Sequence, residues 1–198
     1  MSTASPMDQA ATVPHAIAAE RRGTSPVAHT RLRPMQVANL VAAFVPGAAA
    51  IVGWWVLRDD PRLAWLDPRR GSWHFAVIAG AGLAATAAGF LDWRFHRRGG
   101  RVIGARERRA EFCALVLGGI PLLVVTSAAT LADDPRTFLV PAVATALVVV
   151  AGVCFDEFTF HRRCSRREAL YHHAIEAGMA LAWLTWVHGC FVARGAPA

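Results

Sequence analysis

Five long apolar runs constrain this chain more than any other feature of its sequence. About 20 mostly apolar residues in helical form are enough to cross the hydrocarbon core of a bilayer. Backbone polar groups in lipid must be satisfied within the segment itself, so such runs are expected to be helices. The sequence therefore predicts an all-α integral membrane protein with a membrane domain at 35–198. Its five transmembrane helices are expected at 35–57, 73–95, 110–131, 138–160 and 169–192.

Arginine is concentrated in the N-terminal segment and in two of the connections between the runs. The connections after the second and fourth runs are strongly basic, whereas the others are mixed or acidic. By the positive-inside rule, the N-terminus is predicted to be cytoplasmic and the C-terminus outside, in a bacterial-type inner (plasma) membrane. The net charge of +7 is thus attributed to membrane topology. No nucleic-acid-binding motif accompanies it, and no nucleic acid is expected as a partner.

The N-terminal segment, residues 1–34, differs in composition from the rest of the chain. It is rich in Ala, Ser, Thr and Pro and lacks an apolar core of signal-peptide length. We interpret it as a disordered cytoplasmic tail. The four cysteines include no CxxC pair, so neither a disulfide framework nor a zinc ribbon is indicated.

One sequence pattern occurs twice, at the ends of the second and fourth runs. Shifting residues 90–98 by 65 positions carries Phe95-His96-Arg97-Arg98 onto Phe160-His161-Arg162-Arg163. The same shift places Asp92 on Glu157, Glu107 on His172, and Glu111 on Glu176. Each copy therefore reads acid-x3-His-x10-(Glu or His)-x3-Glu. This predicts an internally duplicated helical hairpin, made of runs two and three and of runs four and five. The two hairpins would form a four-helix bundle, with the first run as a leading helix.

The repeated acids and histidines are predicted to meet at the cytoplasmic edge of the membrane. Side chains four residues apart share one helix face, and the predicted topology brings all four helix ends to one side. Carboxylates at the rim of a bilayer are costly unless paired, and they usually mark a functional site. Carboxylates mixed with imidazoles suit Fe, Mn or Zn. The predicted metal ligands are Asp92, His96, Glu107, Glu111, Glu157, His161, His172, His173 and Glu176.

This ligand set resembles that of the ferritin-like dinuclear carboxylate proteins in chemistry and architecture. Those proteins hold two ions between four helices, although they use a Glu-x-x-His spacing where this chain mostly uses a spacing of four. We therefore predict a dinuclear centre, with iron as the first choice and manganese or zinc as alternatives. Glu111 and Glu176 would bridge the ions, with His96 and His161 as terminal ligands. In an enzyme, the centre would perform redox chemistry on a lipid-soluble substrate that enters between the helices.

Other functions stay open at this point. The same groups would serve a metal-ion transporter or sensor, or a structural subunit whose acids and histidines pair with arginines. Haem ligation by His96, His161 or His172 and binding of an anionic lipid headgroup are further alternatives. Transport favours a polar path through the bilayer, and the spans offer little for one beyond Thr126, Ser127, Thr130, Thr145 and Thr185. This favours a one-sided site.

Four further residues are interpreted as lying outside the site. Asp156 has no acidic counterpart in the first copy, and Glu168 lies in a basic loop where a solvated ion pair is expected. His74 and His188 lie beside tryptophans near the outer ends of the second and fifth runs. We interpret these two histidines as interfacial residues, with a second site at the outer face as the alternative.

Overall fold

The computed structural model describes residues 34–98, 104–162 and 164–195, and in these ranges it is all helical, without strands. Among the described residues, four helices are long and apolar enough to cross a membrane, and α1 contributes a shorter apolar stretch, Gly47–Leu57. A multi-pass helical membrane protein is thereby confirmed, and the fifth span stays a prediction. The predicted tail falls outside the described residues up to residue 33. The long helices are α1 (Pro34–Leu57), α2 (Trp73–Arg97), α3 (Ala105–Leu131), α4 (Pro135–His161) and α5 (Arg166–Val192).

Three of these helices contain a wider, π-helical turn. These turns are Leu115–Gly119 in α3, Glu157–His161 in α4 and His188–Val192 in α5. A π turn closes its hydrogen bonds between residues five apart, so it rotates the side chains that follow relative to an α-helix. Two of the three turns contain histidines, His161 and His188.

The helices pack in two pairs, α2 with α5 and α3 with α4. Small residues line both contacts. A Cβ atom on Gly178 would lie 2.8 Å from the Ala81 carbonyl oxygen, and one on Gly152 would lie 3.1 Å from the Ala114 Cβ. Such residues let helix backbones approach closely in a membrane. Each pair joins a helix of the first predicted hairpin to a helix of the second.

Large apolar side chains cover the outside of these pairs. Leu83, Leu117, Val140 and Leu184 are all more than half exposed. In water such a surface would be unfavourable, because contiguous apolar patches of this kind drive association. In a bilayer the same side chains face lipid tails, so their exposure agrees with a membrane environment.

The connection between α1 and α2 is hydrogen-bonded to the C-terminal end of α3. Hydrogen bonds from the Arg62 side chain and backbone to the Asp60 carboxylate lower the pKa of Asp60 to about 2. The Arg62 guanidinium also donates to the Leu131 carbonyl, and Arg194 donates to the Thr130 carbonyl at 2.9 Å. Two arginines thus satisfy carbonyls of the last turn of α3, which have no partner within the helix.

Candidate metal centre

Helices α3 and α5 each have a glutamate in the first turn, and each glutamate takes part in a capping hydrogen bond. The Gly104 backbone N–H donates to Glu107 Oε2 at 3.3 Å, and the Ser165 hydroxyl accepts from the Glu168 backbone N–H at 3.2 Å. Each glutamate is the third residue of its helix, where a negative charge is favoured by the helix dipole. Both are nevertheless buried, Glu107 with 4% and Glu168 with 1% of its surface exposed.

Each buried glutamate meets a histidine at the end of the neighbouring helix. Glu168 Oε1 lies 3.6 Å from His96 Nε2, and Glu107 Oε1 lies 3.7 Å from His161 Nε2. The two histidines correspond under the shift of 65 positions. The two glutamates correspond under a shift of 61, because the segment from histidine to glutamate is four residues shorter in the second copy. The structure thus contains two similar half-sites, each with one histidine and one buried glutamate. The shift of 65 positions does not predict this pairing, because it places Glu107 on His172 rather than on Glu168.

The π turn of α4 brings Asp156 to His161. Asp156 Oδ2 lies 3.2 Å from His161 Nδ1, and the two residues are five apart, as the wider turn requires. In the first copy the helix stays α-helical, and Asp92 Oδ1 lies 3.6 Å from His96 Nε2 at a spacing of four. Asp156 therefore occupies the position beside His161 that the pattern assigns to Glu157.

His172 of α5 connects the two half-sites. Its Nδ1 lies 3.3 Å from Glu157 Oε1, its Nε2 lies 3.8 Å from Asp92 Oδ2, and its ring centroid lies 4.0 Å from that of His161. Each of the three histidines of the centre therefore has carboxylates on two sides. The histidines are His96, His161 and His172, and their carboxylates are Asp92, Glu107, Asp156, Glu157 and Glu168.

Three of these residues lie close enough together to be candidate ligands of one metal ion. One ligand atom from each of Asp156, His161 and His172 lies within 4.8 Å of the other two. In the described part of the chain, three buried carboxylate oxygens, Asp92 Oδ1, Asp156 Oδ1 and Glu157 Oε1, accept no hydrogen bond. An unsatisfied buried acceptor costs about 1–3 kcal/mol. A cation bound at any of these oxygens would remove the cost for that oxygen.

The structure brings six of the nine predicted ligands into this network. They are Asp92, His96, Glu107, Glu157, His161 and His172. Glu111 is half-buried and within electrostatic range of Glu107 and Asp156. His173 and Glu176 instead pair with each other at 3.5 Å on α5, with the His173 side chain 68% exposed. Neither belongs to the three-residue group with metal-binding separation.

The site predicted from the sequence does not include Asp156 and Glu168. For Glu168 the sequence contains a usable signal, because Ser165-Arg166-Arg167-Glu168 is a Ser-x-x-Glu capping sequence. It places the start of α5 at Ser165 and the glutamate in the first turn, and the structure buries it there rather than leaving it solvated. For Asp156 we find no comparable signal, because an α-helical spacing puts it on a different face from His161.

The side chains of this centre indicate which metals it would suit. Its side chains are carboxylates and imidazoles rather than thiolates, and such groups suit Fe, Mn or Zn as ligands. Comparisons with known protein families, with curated proteins and with solved structures find no match to this chain.

Proposed function

We propose that this protein holds transition-metal ions at the cytoplasmic end of a four-helix membrane bundle, in an inner (plasma) membrane. The observation that carries the proposal is the group of Asp156, His161 and His172, whose ligand atoms lie within 4.8 Å of one another. A carboxylate and two imidazoles are a common ligand set for iron, manganese and zinc. We take iron as the first choice because the surrounding ligands are rich in carboxylate oxygen.

A second ion would occupy the other half-site. His96 with Asp92 and Glu168 is the counterpart of His161 with Asp156 and Glu107, and the buried glutamates lie at 3.6 and 3.7 Å from their histidines. We propose that the two half-sites arose by duplication of one helical hairpin and that together they form a dinuclear centre. His172, which contacts Asp92 and Glu157, lies between the halves.

The polar groups inside the membrane favour a one-sided centre over a transport path. Thr126 donates its hydroxyl hydrogen to the Leu122 carbonyl and Thr185 to the Leu181 carbonyl, both at 2.8 Å. Thr145 donates in the same way to a carbonyl of its own helix. Because these hydroxyls are satisfied locally, they do not need a polar neighbour across the bundle. This supports a centre that acts at one membrane face.

An apolar groove supports a lipid-soluble substrate. It runs between α3 and α4 and is lined by Ala110, Cys113, Ala114, Leu117, Val148, Gly152 and Phe155. Ala110 and Phe155 directly precede Glu111 and Asp156 in sequence, so the groove reaches the depth of the centre. We propose that the centre performs redox chemistry on a substrate that reaches it from the lipid along this groove.

A second candidate function is structural, and the histidine contacts favour it. His96, His161 and His172 each lie between two carboxylates at 3.2–3.8 Å. Protonated histidines, together with the arginines of the basic loops, would neutralise the acids without any metal. The protein would then be a membrane subunit whose ion-pair network holds the helix ends together.

Metal content separates these functions. We would measure it by mass spectrometry on detergent-purified protein, prepared without chelator and offered iron, manganese and zinc. We expect about two ions per chain in the wild type, as in dinuclear four-helix proteins. His161→Gln and Glu168→Gln should each lower that number. The control His173→Gln changes an exposed histidine near the start of α5 and should leave it unchanged.

Two results would go against the metal centre. A metal-free wild type after this treatment would leave the ion-pair network as the function of the cluster. Metal that is retained in full by His161→Gln and Glu168→Gln would place the bound ions elsewhere. Far-UV circular dichroism on each variant checks that the helices are intact, so that loss of metal is not loss of fold.

A further inference from the structure

A pair of histidines joins α2 and α5 at the end of the bundle opposite the carboxylate centre. His74 Nε2 and His188 Nδ1 lie 2.9 Å apart, with the ring planes at 22°. His74 is in the first turn of α2, and Asp92 of the carboxylate centre follows 18 residues later on the same helix. At 1.5 Å per residue the two positions are about 27 Å apart. The histidine pair is therefore separate from that centre.

Aromatic rings hold this histidine pair in place. Trp73 stacks on His74 with centroids 3.9 Å apart, and Trp65 meets His74 edge to face at 5.6 Å. A Cβ atom on Gly189 would overlap the Trp65 ring, so only glycine next to His188 allows this packing. His74 is buried, with 6% of its surface exposed, whereas His188 is exposed. One histidine of the pair is thus buried among aromatic rings, and the other is exposed.

The separation of the two nitrogens is close to that of two ligands on one metal ion. Metal–imidazole bonds are about 2.0–2.1 Å long, so two such nitrogens lie about 2.9 Å apart at a right angle and about 3.4 Å apart at a tetrahedral angle. The observed 2.9 Å is a hydrogen bond, in which one ring donates a proton to the other. For a metal ion to replace that proton at such an angle, the exposed His188 ring would have to turn so that both nitrogen lone pairs point at the ion.

We propose that His74 and His188 form a second metal site, for a copper ion, at the outer end of α2 and α5. Imidazole nitrogen suits copper, and Cu²⁺ binds most tightly of the divalent first-row ions. The contacts described for His74 are aromatic, in contrast to the carboxylate oxygens of the inner centre. Water would complete the coordination.

Copper binding to a variant in which the carboxylate centre is weakened tests this proposal. The protein would be the full chain carrying His161→Gln, purified in detergent and freed of metal, with Cu²⁺ alone added against a competing chelator. We expect one copper per chain, with electron paramagnetic resonance showing coupling to two nitrogens. Mutating a residue that only hydrogen-bonds to a metal ligand typically lowers metal affinity by about 10–100-fold. His188→Gln removes one of the two ligands themselves, so it should lower copper affinity by more than about 100-fold.

The controls separate this site from the inner one and from unspecific histidine binding. His173→Gln removes an exposed histidine at the other end of α5 and should leave copper binding unchanged. His74→Gln should act like His188→Gln, provided that circular dichroism shows intact helices. Retention of copper by the variant that also carries His188→Gln would overturn the proposal. Loss of copper to the chelator from the His161→Gln parent would overturn it as well. Neither result bears on the inner centre, which the iron, manganese and zinc contents of the wild type test independently.

Discussion

Glu168 shows how one buried carboxylate can serve three purposes in this protein. Its backbone N–H is bound by the Ser165 hydroxyl at the start of α5, and its charge lies at the favourable end of the helix dipole. Its side chain, 1% exposed, lies 3.6 Å from His96 on the neighbouring helix. A buried charge is tolerated only with partners, so the start of α5, the contact with α2 and the composition of the centre depend on one another.

Replacing Glu168 by alanine should therefore destabilise the metal-free protein strongly. Breaking a buried pair by removing one partner typically costs about 3–5 kcal/mol, because the other group stays buried without compensation. Denaturant unfolding in detergent micelles, followed by circular dichroism, measures the change. Glu176→Ala is the matched control on the same helix, since Glu176 pairs with the exposed His173 and should contribute about 0–1 kcal/mol. Equal losses in the two variants would show that Glu168 is not part of a buried network.

At this scale the sequence predicts well where the local geometry is α-helical. The spacing of four between Asp92 and His96 brings them together as expected, at 3.6 Å. The same rule fails in α4, where the π turn puts Asp156 beside His161 and leaves Glu157 to contact His172. A π turn changes the face of a side chain without changing the composition of the sequence, so a spacing rule derived from α-helices cannot detect it.

At the level of elements, apolar runs predict the helices but not where they begin. The run at 110–131 becomes a helix that starts at Ala105, and the run at 169–192 becomes one that starts at Arg166. In both cases the added turn is charged, because capping and the helix dipole extend the helix beyond its apolar part into the membrane interface. These extra turns contain Glu107 and Glu168, so the unpredicted part of each helix carries part of the site.

The contact between α2 and α5 makes a prediction about glycine. Gly178→Ala should lower stability by about 1–3 kcal/mol, because its Cβ would lie only 2.8 Å from the Ala81 carbonyl oxygen and 3.0 Å from the Ala85 Cβ. Gly80→Ala is the control on α2, since a Cβ there meets nothing within 4 Å. It should be neutral or stabilising by about 0.5–1 kcal/mol, the usual gain from removing a helix glycine. Unfolding in micelles measures both, and equal effects would mean that α2 and α5 do not pack this closely.

For the whole molecule, the α2–α5 pair connects two places of different chemistry. One end of the pair supplies His96, Glu168 and His172 to a carboxylate-rich centre, and the other supplies His74 and His188 to an aromatic pocket. The two proposed metal sites thus share a rigid support of closely packed helices. The repeated sequence pattern indicates only the first, because His74 and His188 are not repeated and their approach depends on how α2 and α5 pack.

The topology of the chain can be tested at its two ends. The basic connections after α2 and α4 lie on one side if α2 to α5 each cross the membrane, and the positive-inside rule makes that side cytoplasmic. The C-terminus is then outside whether or not α1 crosses, so only the position of the N-terminus reports the fifth span. We expect α1 to cross, with the N-terminus inside.

Protease treatment of spheroplasts from cells that express the full chain with an epitope at each end measures this. The C-terminal epitope should be removed from intact spheroplasts, and the N-terminal epitope should be removed only after lysis. Removal of both epitopes from intact spheroplasts would mean that α1 does not cross and that the protein has four spans. Protection of the C-terminal epitope would reverse the orientation and move the carboxylate centre to the outer face. In that case a metal at the centre would be exchanged with the outside rather than with the cytoplasm.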